Sequence, residues 1–253
     1  MGKIMIGEMS WTEFQDVMKE TDTIIIPMGV LEEHGLHNPL GTDTLIAEAC
    51  AKMIGEKAQV PVAPVMPFGY TPNVTKFAGT ISIDAQLMRK VMVSYAESYV
   101  KHGAKRFLFV NGHGGNNDLL SLVCADLYEK HGSICAHTQW WETLPQISEF
   151  KCNDHGGLFE TSLMMAVNDE IVDLSKAQHS PVNGLTEKIL YDYGWRYEGA
   201  RLPIPVDLYG QQKIGNVGEP PFNANKELGK QMMDVYAEYN AGLINELKKI
   251  TIL

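Results

Sequence analysis

The stretch RFLFVNGHGGN, residues 106–116, sets the pattern from which the fold is predicted. Its first half, Arg106–Val110, is a short apolar run typical of a buried strand, and glycines follow at positions 112, 114 and 115. The next segment, Asn117–His131, has helical periodicity. A strand, a glycine-rich loop and a helix in immediate succession are typical of a parallel sheet covered by helices on both faces.

The same alternation continues on both sides of this stretch and predicts an α/β protein. Residues 1–253 are expected to form one domain, with an irregular proline- and glycine-rich excursion at about residues 180–222. The further predicted strands are Thr23–Pro27, Gln59–Val65 and Ser133–His137. The further predicted helices are Asp43–Gly55, Asp84–His102, Gly157–Val167 and Asn225–Lys249.

Composition excludes several classes of protein. Among 253 residues, 21 lysines and arginines stand against 31 aspartates and glutamates, a net charge of -10, which argues against non-specific binding to nucleic acid or anionic membranes. No apolar run approaches the ~20 residues of a membrane span. The four cysteines are far apart in sequence, which predicts reduced thiols in a cytoplasmic protein.

The loop after the first predicted strand, residues 32–43, concentrates side chains that bind metals. Imidazole and carboxylate groups together form the usual ligand set for zinc, manganese or iron. Residues 32 and 34 point the same way along an extended backbone, so both can reach one ion. The alternative is a solvated loop in which Asp43 caps the next helix. The candidates here are Glu32, Glu33, His34, His37 and Asp43.

A second candidate ligand, His113, lies in the glycine-rich loop 111–116. Glycines let the backbone approach a ligand closely, and the following helix start offers free N–H donors. The loop lacks the lysine of a P-loop and the acidic residue that reads a ribose, so a nucleotide-binding or redox enzyme is the weaker interpretation. A turn in which His113 merely caps a backbone carbonyl is the other alternative.

A third segment brings His155 and Glu160 to the start of a predicted helix. Glu160 is surrounded by apolar residues, and a buried carboxylate is costly unless it is paired or bound to metal. The alternative is an ordinary surface glutamate. All three loops follow predicted strands or precede helices, so we expect them at one edge of the sheet, where they can share one or two divalent ions.

Five ordered motifs resemble the creatininase (creatinine amidohydrolase) family, from about residue 10 to residue 248. They are PMGVLEEHG (27–35) with Thr42-Asp43, FAGTI (77–81), NGHGGN (111–116), HGGLFETS (155–162) and NVGEP (216–220) with Ala224 and Gly229. The resemblance implies a three-layer αβα sandwich with a mostly parallel central sheet. It also implies a metal-dependent hydrolase with two divalent ions, a small-molecule substrate and a homo-oligomeric, often hexameric, assembly.

The resemblance further assigns roles to individual residues. A hydroxide that bridges the two ions would attack a carbonyl of a small polar, cyclic substrate, in the manner of C–N amide hydrolysis. His155 would transfer a proton to the leaving group. The implied ligands are Glu32, Asp43 and His113 for one ion, and His34, Asp43 and Glu160 for the other, with Asp43 shared.

Departures from the family pattern bear on the substrate. Gly115 stands where creatininase has a glutamate, so Glu160 is left to supply that carboxylate, and creatinine is not the first expectation. Val74 replaces a frequent histidine and Ala78 a proline. Other family branches hydrolyse a formamide in deazaflavin biosynthesis or cleave a modified peptide in mycofactocin maturation.

Two alternatives to amide hydrolysis therefore remain. Polar and aromatic side chains at 195–213 favour a hydroxylated ring if they face the site, which suits C–C hydrolysis of a cyclic keto-polyol such as 3-dehydro-scyllo-inosose. They equally suit loop packing. The other alternative is a catalytically idle protein that retains the fold and the metals. The role of His37, as support for the ligands or as packing, is also left open.

Overall fold

A computed structural model describes residues 2–192 and 194–252 of the chain. Within these residues, three parallel strands form a central sheet in the order β1-β2-β3. The strands are Thr23–Met28 (β1), Arg106–Asn111 (β2) and Ile134–Gln139 (β3). Ile25 pairs with Leu108, and Leu108 pairs with Ala136, so the carboxyl ends of β1 and β2 lie side by side.

Helices follow the strands much as the periodicity predicts. The helix after β1 begins at Thr42, one residue before the predicted start, and the helix after β2 has the predicted bounds. The α-helices are Trp11–Glu20 (α1), Thr42–Ala58 (α2), Ala85–Val100 (α3), Asn117–His131 (α4), Trp140–Ile147 (α5), Leu158–Asn168 (α6) and Lys226–Leu247 (α7). Short 3-10 helices lie at Ile6–Glu8, Pro72–Val74, Gly114–Asn116, Asp169–Ile171, Leu174–Lys176, Leu208–Gly210 and Pro221–Asn223.

Two separate hydrophobic cores lie on the two faces of the sheet. Ile25 and Leu108 belong to the core that contains side chains of α2, α5, α6 and α7. Their neighbours along the strands, Ile24 and Phe107, point to the opposite face and pack with α3 and α4. Successive strand residues point to opposite faces, so two apolar faces require two covering layers. The predicted three-layer αβα arrangement is thus confirmed.

The predicted strand Gln59–Val65 is wrong as a continuous strand. The segment runs parallel to β1, with hydrogen bonds from Ala63 N to Ile25 O (2.8 Å) and from Ile25 N to the carbonyl of Pro61 (3.0 Å). Only isolated bridges form, at Val62 and Met66. Pro61 and Pro64 lack the N–H groups that a ladder needs, so pairing is interrupted.

Sequence periodicity also missed elements. Helix α1 has a capping box in which Ser10 and Glu13 exchange side-chain and backbone hydrogen bonds, a signal that is visible as S-x-x-E. Within the excursion, three short strands form an antiparallel sheet in the order β4-β5-β6. They are Ile189–Tyr191 (β4), Trp195–Tyr197 (β5) and Ala200–Leu202 (β6).

Two composition-based expectations can be compared with the structure. Across residues 2–192 and 194–252, no helix combines the length and the apolar character needed to cross a bilayer. All four cysteines are free thiols, and Cys50 and Cys152 are buried, in keeping with the reduced state expected for them. That residues 1–253 form a single domain stays a prediction, and positions 1, 193 and 253 lie outside the described residues.

The crossing of α6 and α7 provides a test of this packing. A Cβ atom at Gly229 of α7 would clash with the backbone carbonyl of Ser162 on α6, whereas a Cβ at Gly242, on the same helix, meets no atom within 4 Å. We therefore expect Gly229→Ala to lower the free energy of unfolding by ~1–3 kcal/mol, because the helices must separate. Denaturant unfolding monitored by circular dichroism measures the change.

Gly242→Ala is the matched control, since alanine at an open helical position raises stability by ~0.5–1 kcal/mol. If Gly229→Ala were as stable as Gly242→Ala, the close contact between α6 and α7 would be contradicted.

Candidate metal centre

Side chains from three loops meet where β1 and β2 end. The loop after β1 contributes Glu32 and His34, the first turn of α2 contributes Asp43, the loop after β2 contributes His113, and α6 contributes Glu160. Their ligand-type atoms form groups in which every atom lies within 4.8 Å of the others. The groups are Glu32, Asp43 and His113; His34, Asp43 and Glu160; and Glu32, His34 and His155. The first two match the ligand sets that the family resemblance implied.

His113 is held between a backbone carbonyl and two carboxylates. Its Nε2 donates to the carbonyl of Tyr70 at 3.2 Å, which leaves Nδ1 as the free nitrogen of a neutral ring. That Nδ1 lies 3.1 Å from Oε1 of Glu32 and 3.1 Å from Oδ2 of Asp43. The carbonyl contact anticipated as an alternative is therefore present, and it orients the ring so that the other nitrogen faces the acidic groups.

His34 repeats this arrangement on the other side of Asp43. Its Nδ1 donates to the backbone carbonyl of Glu32 at 3.1 Å. Its Nε2 lies 2.8 Å from Oδ1 of Asp43 and 3.5 Å from Oε2 of Glu160. Both histidines thus present one nitrogen to Asp43, and Asp43 lies between them.

The structure contradicts the two alternatives that would have made these acids ordinary residues. Asp43 is not the N-cap of α2: the cap is Gly41, and the Asp43 side chain turns inward to the histidines. Glu160 is only 4% exposed and is not a surface glutamate. Its Oε2 accepts a hydrogen bond from Gly156 N at 2.6 Å, which fixes the carboxylate beside His34.

The cluster carries buried negative charge that the described residues do not balance with fixed positive charge. Glu32, Asp43 and Glu160 are nearly inaccessible, and none of the described residues lining the adjoining cavity is a lysine or arginine. Oδ2 of Asp43 is buried and makes no hydrogen bond with a described residue. Buried carboxylates that lack a cationic partner are the environment that a divalent ion stabilises. These residues therefore fit metal ions.

The same excess of carboxylates raises the pKa values of the two histidines. Burial lowers the pKa of His34, but the carboxylates of Asp43 and Glu160 raise it more, well above its usual range. Burial likewise lowers the pKa of His113, and Glu32 and Asp43 raise it to about 10. Without another cation, the histidines take up protons to balance the carboxylates.

His155 lies beside the cluster with one edge open to the cavity. Its Nε2 is 2.8 Å from the backbone carbonyl of Glu33 and 3.2 Å from Oε1 of the same residue. Its Nδ1 lies 3.6 Å from Oε1 of Glu32. Two backbone hydrogen bonds with Val217 fix the position of His155 in the chain. The side chain is 26% exposed, so a substrate can reach it.

Two glycines of the loop after β2 let these groups approach one another. A Cβ at Gly112 would clash with the backbone carbonyl of Asp43, and a Cβ at Gly115 would clash with the carbonyl of Tyr70 that holds His113. The first glycine brings the end of β2 against the start of α2. The second brings the loop against the carbonyl of Tyr70, and in this backbone conformation a side chain at position 115 would clash with it.

Several contacts of the site were not predicted from sequence. Thr71 donates a short hydrogen bond from Oγ1 to Oε2 of Glu32, and Tyr70 orients His113, yet neither belongs to a motif that indicates metal binding. Glu33, a candidate from the same loop, belongs to none of the ligand groups; its Oε1 lies 3.2 Å from Nε2 of His155. A hydrogen bond of 3.0 Å joins Nε2 of His37 to Oγ1 of Thr161, the residue after Glu160. His37 therefore holds the helix turn that carries Glu160.

A cavity of about 260 Å³ lies over the cluster. Of the polar and aromatic residues at 195–213 that were considered for substrate contact, none lines it; the excursion contributes other residues, among them Tyr191 and Leu208. Gln212 is buried and bonds to the backbone of Ser180, and Lys213 lies over the ring of Tyr209 at 3.4 Å. Gln212 and Lys213 therefore pack within the excursion, the alternative that the sequence left open, whereas Trp195 and Arg201 line a wider cavity farther out.

Comparison with known proteins relates this geometry to a family. The family profile of creatininase, described as creatinine amidohydrolase, matches residues 7–244. Creatinine amidohydrolase of Pseudomonas putida is 25% identical over 265 residues, 96% of each chain. Mycofactocin precursor peptide peptidase of Mycobacterium tuberculosis is 35% identical over 225 residues, 83% of this chain and 77% of the relative. A 3-dehydro-scyllo-inosose hydrolase of Thermotoga maritima is 26% identical over 167 residues, 64% of this chain and 52% of the relative.

Solved structures agree with this relationship. A creatininase of the Zn-Zn type superposes with a TM-score of 0.78 at 25% identity, over 97% of this chain and 98% of the other. A manganese creatininase superposes with a TM-score of 0.77 at 24% identity, over 96% and 98%. The chain therefore belongs to the creatininase family, whose members are metal-dependent hydrolases.

Proposed function

We propose that this protein hydrolyses a C–N amide bond of a small polar substrate, with two divalent ions held by the cluster around Asp43. The proposal depends on the orientation of His34 and His113. In each ring, one nitrogen donates a hydrogen bond to a backbone carbonyl and the other nitrogen faces carboxylates. Such orientation of neutral imidazoles is typical of metal ligands. The proposed ligands are Glu32, Asp43 and His113 for one ion and His34, Asp43 and Glu160 for the other.

The remaining residues supply positioning and proton transfer. Divalent ions in such a site lower the pKa of a bound water and polarise a carbonyl oxygen. His155, whose Nε2 is held by Glu33, has its Nδ1 beside the cluster, where a proton can be given to a leaving amine. Thr71 and Gly156 hold the carboxylates of Glu32 and Glu160 in place.

Amide hydrolysis is supported over the two alternatives. Two relatives are named for amide cleavage, one of a lactam and one of a peptide, and the second of these has the higher identity to this chain. The polar side chains at 195–213 that favoured a keto-polyol do not line the cavity over the cluster. A catalytically idle protein would have no need for His155 in an open, oriented position. Zinc, manganese and iron all suit the donor set. The cytoplasmic location and the homo-oligomeric state stay predictions.

The ligand assignment predicts a change of metal content in Glu160→Gln. Glutamine keeps the oxygen that accepts from Gly156 but loses the negative charge, so we expect one of two ions to be lost while the fold is retained. Inductively coupled plasma mass spectrometry of zinc-loaded, desalted protein measures the stoichiometry. Glu170→Gln, an exposed glutamate just beyond the same helix, is the control and should keep both ions. Retention of both ions by Glu160→Gln would show that Glu160 is not a ligand.

The role of His155 predicts a loss of turnover without a loss of metal. A screen of creatinine, formamides, short peptides and cyclic keto-polyols, followed as a mass gain of one water, identifies a working substrate. With it, we expect His155→Ala to bind both ions and to turn over ~10²–10⁴-fold more slowly. His131→Ala, at an exposed histidine paired with Glu97, is the control with normal turnover. Unchanged turnover in His155→Ala would remove His155 from the mechanism.

Metal removal predicts a characteristic dependence of stability on pH. Without ions, the folded-state pKa of His113, about 10, exceeds its unfolded value of about 6.5, so its protonation stabilises the fold below pH ~6.5 and this stabilisation is lost toward pH 10. His34 acts in the same direction. We expect the melting temperature of chelator-treated protein to fall over this range more steeply than that of metal-loaded protein. Parallel curves would contradict the placement of the ions at these histidines.

A further inference from the structure

The cavity over the candidate metal centre continues outward into a wider one. The outer cavity has a volume of about 830 Å³ and shares Tyr191, Leu208 and Gly114 with the inner one. The lining of the inner cavity includes carboxylates and histidines of the cluster, and the lining of the outer cavity includes Tyr191 of β4 and Arg201 and Leu202 of β6. A substrate whose amide lies at the metal centre would thus extend toward these two strands.

Arg201 on β6 is the cationic side chain of this outer cavity, and it also lines an adjoining cavity of about 530 Å³. Among the described residues, Arg201 has no ion-pair or hydrogen-bond partner. The other three arginines of the chain each pair with an aspartate: Arg89 with Asp126, Arg106 with Asp22, and Arg196 with Asp192. A guanidinium with five unused donors facing a cavity is suited to bind an anion bidentately.

Tyr191 on β4 is shared by the cavity over the candidate metal centre and the cavity that Arg201 lines. It lines both the inner and the outer cavity, and its ring packs edge-on against Trp195 with 5.1 Å between centroids. Its hydroxyl makes no hydrogen bond with any described residue. Burial raises the pKa of Tyr191 to about 12, so at neutral pH the hydroxyl keeps its proton and can donate.

The acidic side chains of the outer cavity do not pair with Arg201 or with the hydroxyl of Tyr191. Glu142 lines the same cavity, but its carboxylate accepts from the side-chain amides of Asn117 and Gln139. Asp118, the other acid of this cavity, is exposed. The chain as a whole carries a charge of -10, so the unpaired arginine is a local exception to an anionic surface.

On the basis of the hydrolase function proposed above, we propose that the substrate carries an anionic oxygen group, a carboxylate or a phosphate, on the side remote from the scissile amide. Arg201 binds this group, and the Tyr191 hydroxyl donates a second hydrogen bond. The two residues act in specificity: they select anionic amides over neutral ones and take no part in the bond-breaking step.

Matched hydroxamates test the proposal without knowledge of the natural substrate. A hydroxamate chelates the metal ions, and a short alkyl spacer carries a terminal carboxylate, a terminal phosphate or a neutral carboxamide. Isothermal titration calorimetry with zinc-loaded protein gives the affinity of each compound for a series of spacer lengths. We expect at least one anionic compound to bind ~10-fold or more tightly than its carboxamide, the scale of a hydrogen bond between charged groups. The carboxylate and phosphate arms then distinguish the two anions.

Variants assign that preference to individual side chains. Arg201→Gln should remove the preference and leave the affinity for the carboxamide unchanged, and Tyr191→Phe should reduce the preference in part. Arg196→Gln is the control. Because Arg196 is already paired with Asp192, this substitution should leave the preference for anionic compounds intact. No preference at any spacer length, or a preference that survives in Arg201→Gln, would overturn the proposal. If no hydroxamate bound at all, the metal centre itself would be contradicted, and the specificity proposal would fail with it.

Discussion

Three carboxylates share one buried volume at the edge of the central sheet. Glu32, Asp43 and Glu160 are each less than 5% exposed, and the described groups that approach them are histidines and neutral hydrogen-bond donors. Burial of several like charges is strongly unfavourable unless cations are close, so the chain can keep this arrangement only with bound ions or with protonated histidines. The hydrogen bonds from His34 and His113 to backbone carbonyls suit both solutions, because they direct the other nitrogen of each ring at the acids, where it can bind an ion or carry a proton.

Close approach between backbone segments, and not the length of side chains, brings the residues of this cluster together. Gly112 lets the end of β2 reach the carbonyl of Asp43, and Gly115 lets the next turn reach the carbonyl of Tyr70. Gly229 lets α7 reach α6, which carries Glu160. Each contact brings two backbone segments closer than a Cβ atom allows. Precise placement of the ligands is therefore coupled to packing of the elements that bear them, and loosening that packing is expected to alter the cluster.

Local signals made the three strands of the central sheet and most helices predictable, because their periodicity is read from a few neighbouring residues, whereas the ligand sets were implied by the family resemblance. Where the prediction failed, hydrogen bonding decides. The segment 59–65 has the composition of a strand, yet its prolines leave only isolated bridges to β1. Thr71 and Tyr70 act on ligands whose motifs lie elsewhere, and no local pattern marks them. The small sheet β4–β6 consists of three-residue strands among glycines and prolines, too short for a period to be recognised.

The two ends of the cavity are formed by different kinds of structure. At the candidate metal centre, the buried carboxylates lie close together, and backbone contacts at Gly112 and Gly115 leave no room for a Cβ atom. The outer end is built from short strands and loops of the excursion, where a side chain such as Arg201 can change without disturbing either hydrophobic core. The relatives are named for different reactions, as a creatinine amidohydrolase, a mycofactocin precursor peptide peptidase and a 3-dehydro-scyllo-inosose hydrolase, so a similar chain can serve several substrates. Under the proposals made above, substrate choice in this chain depends on Tyr191 and Arg201, which line the cavity beyond the candidate metal centre.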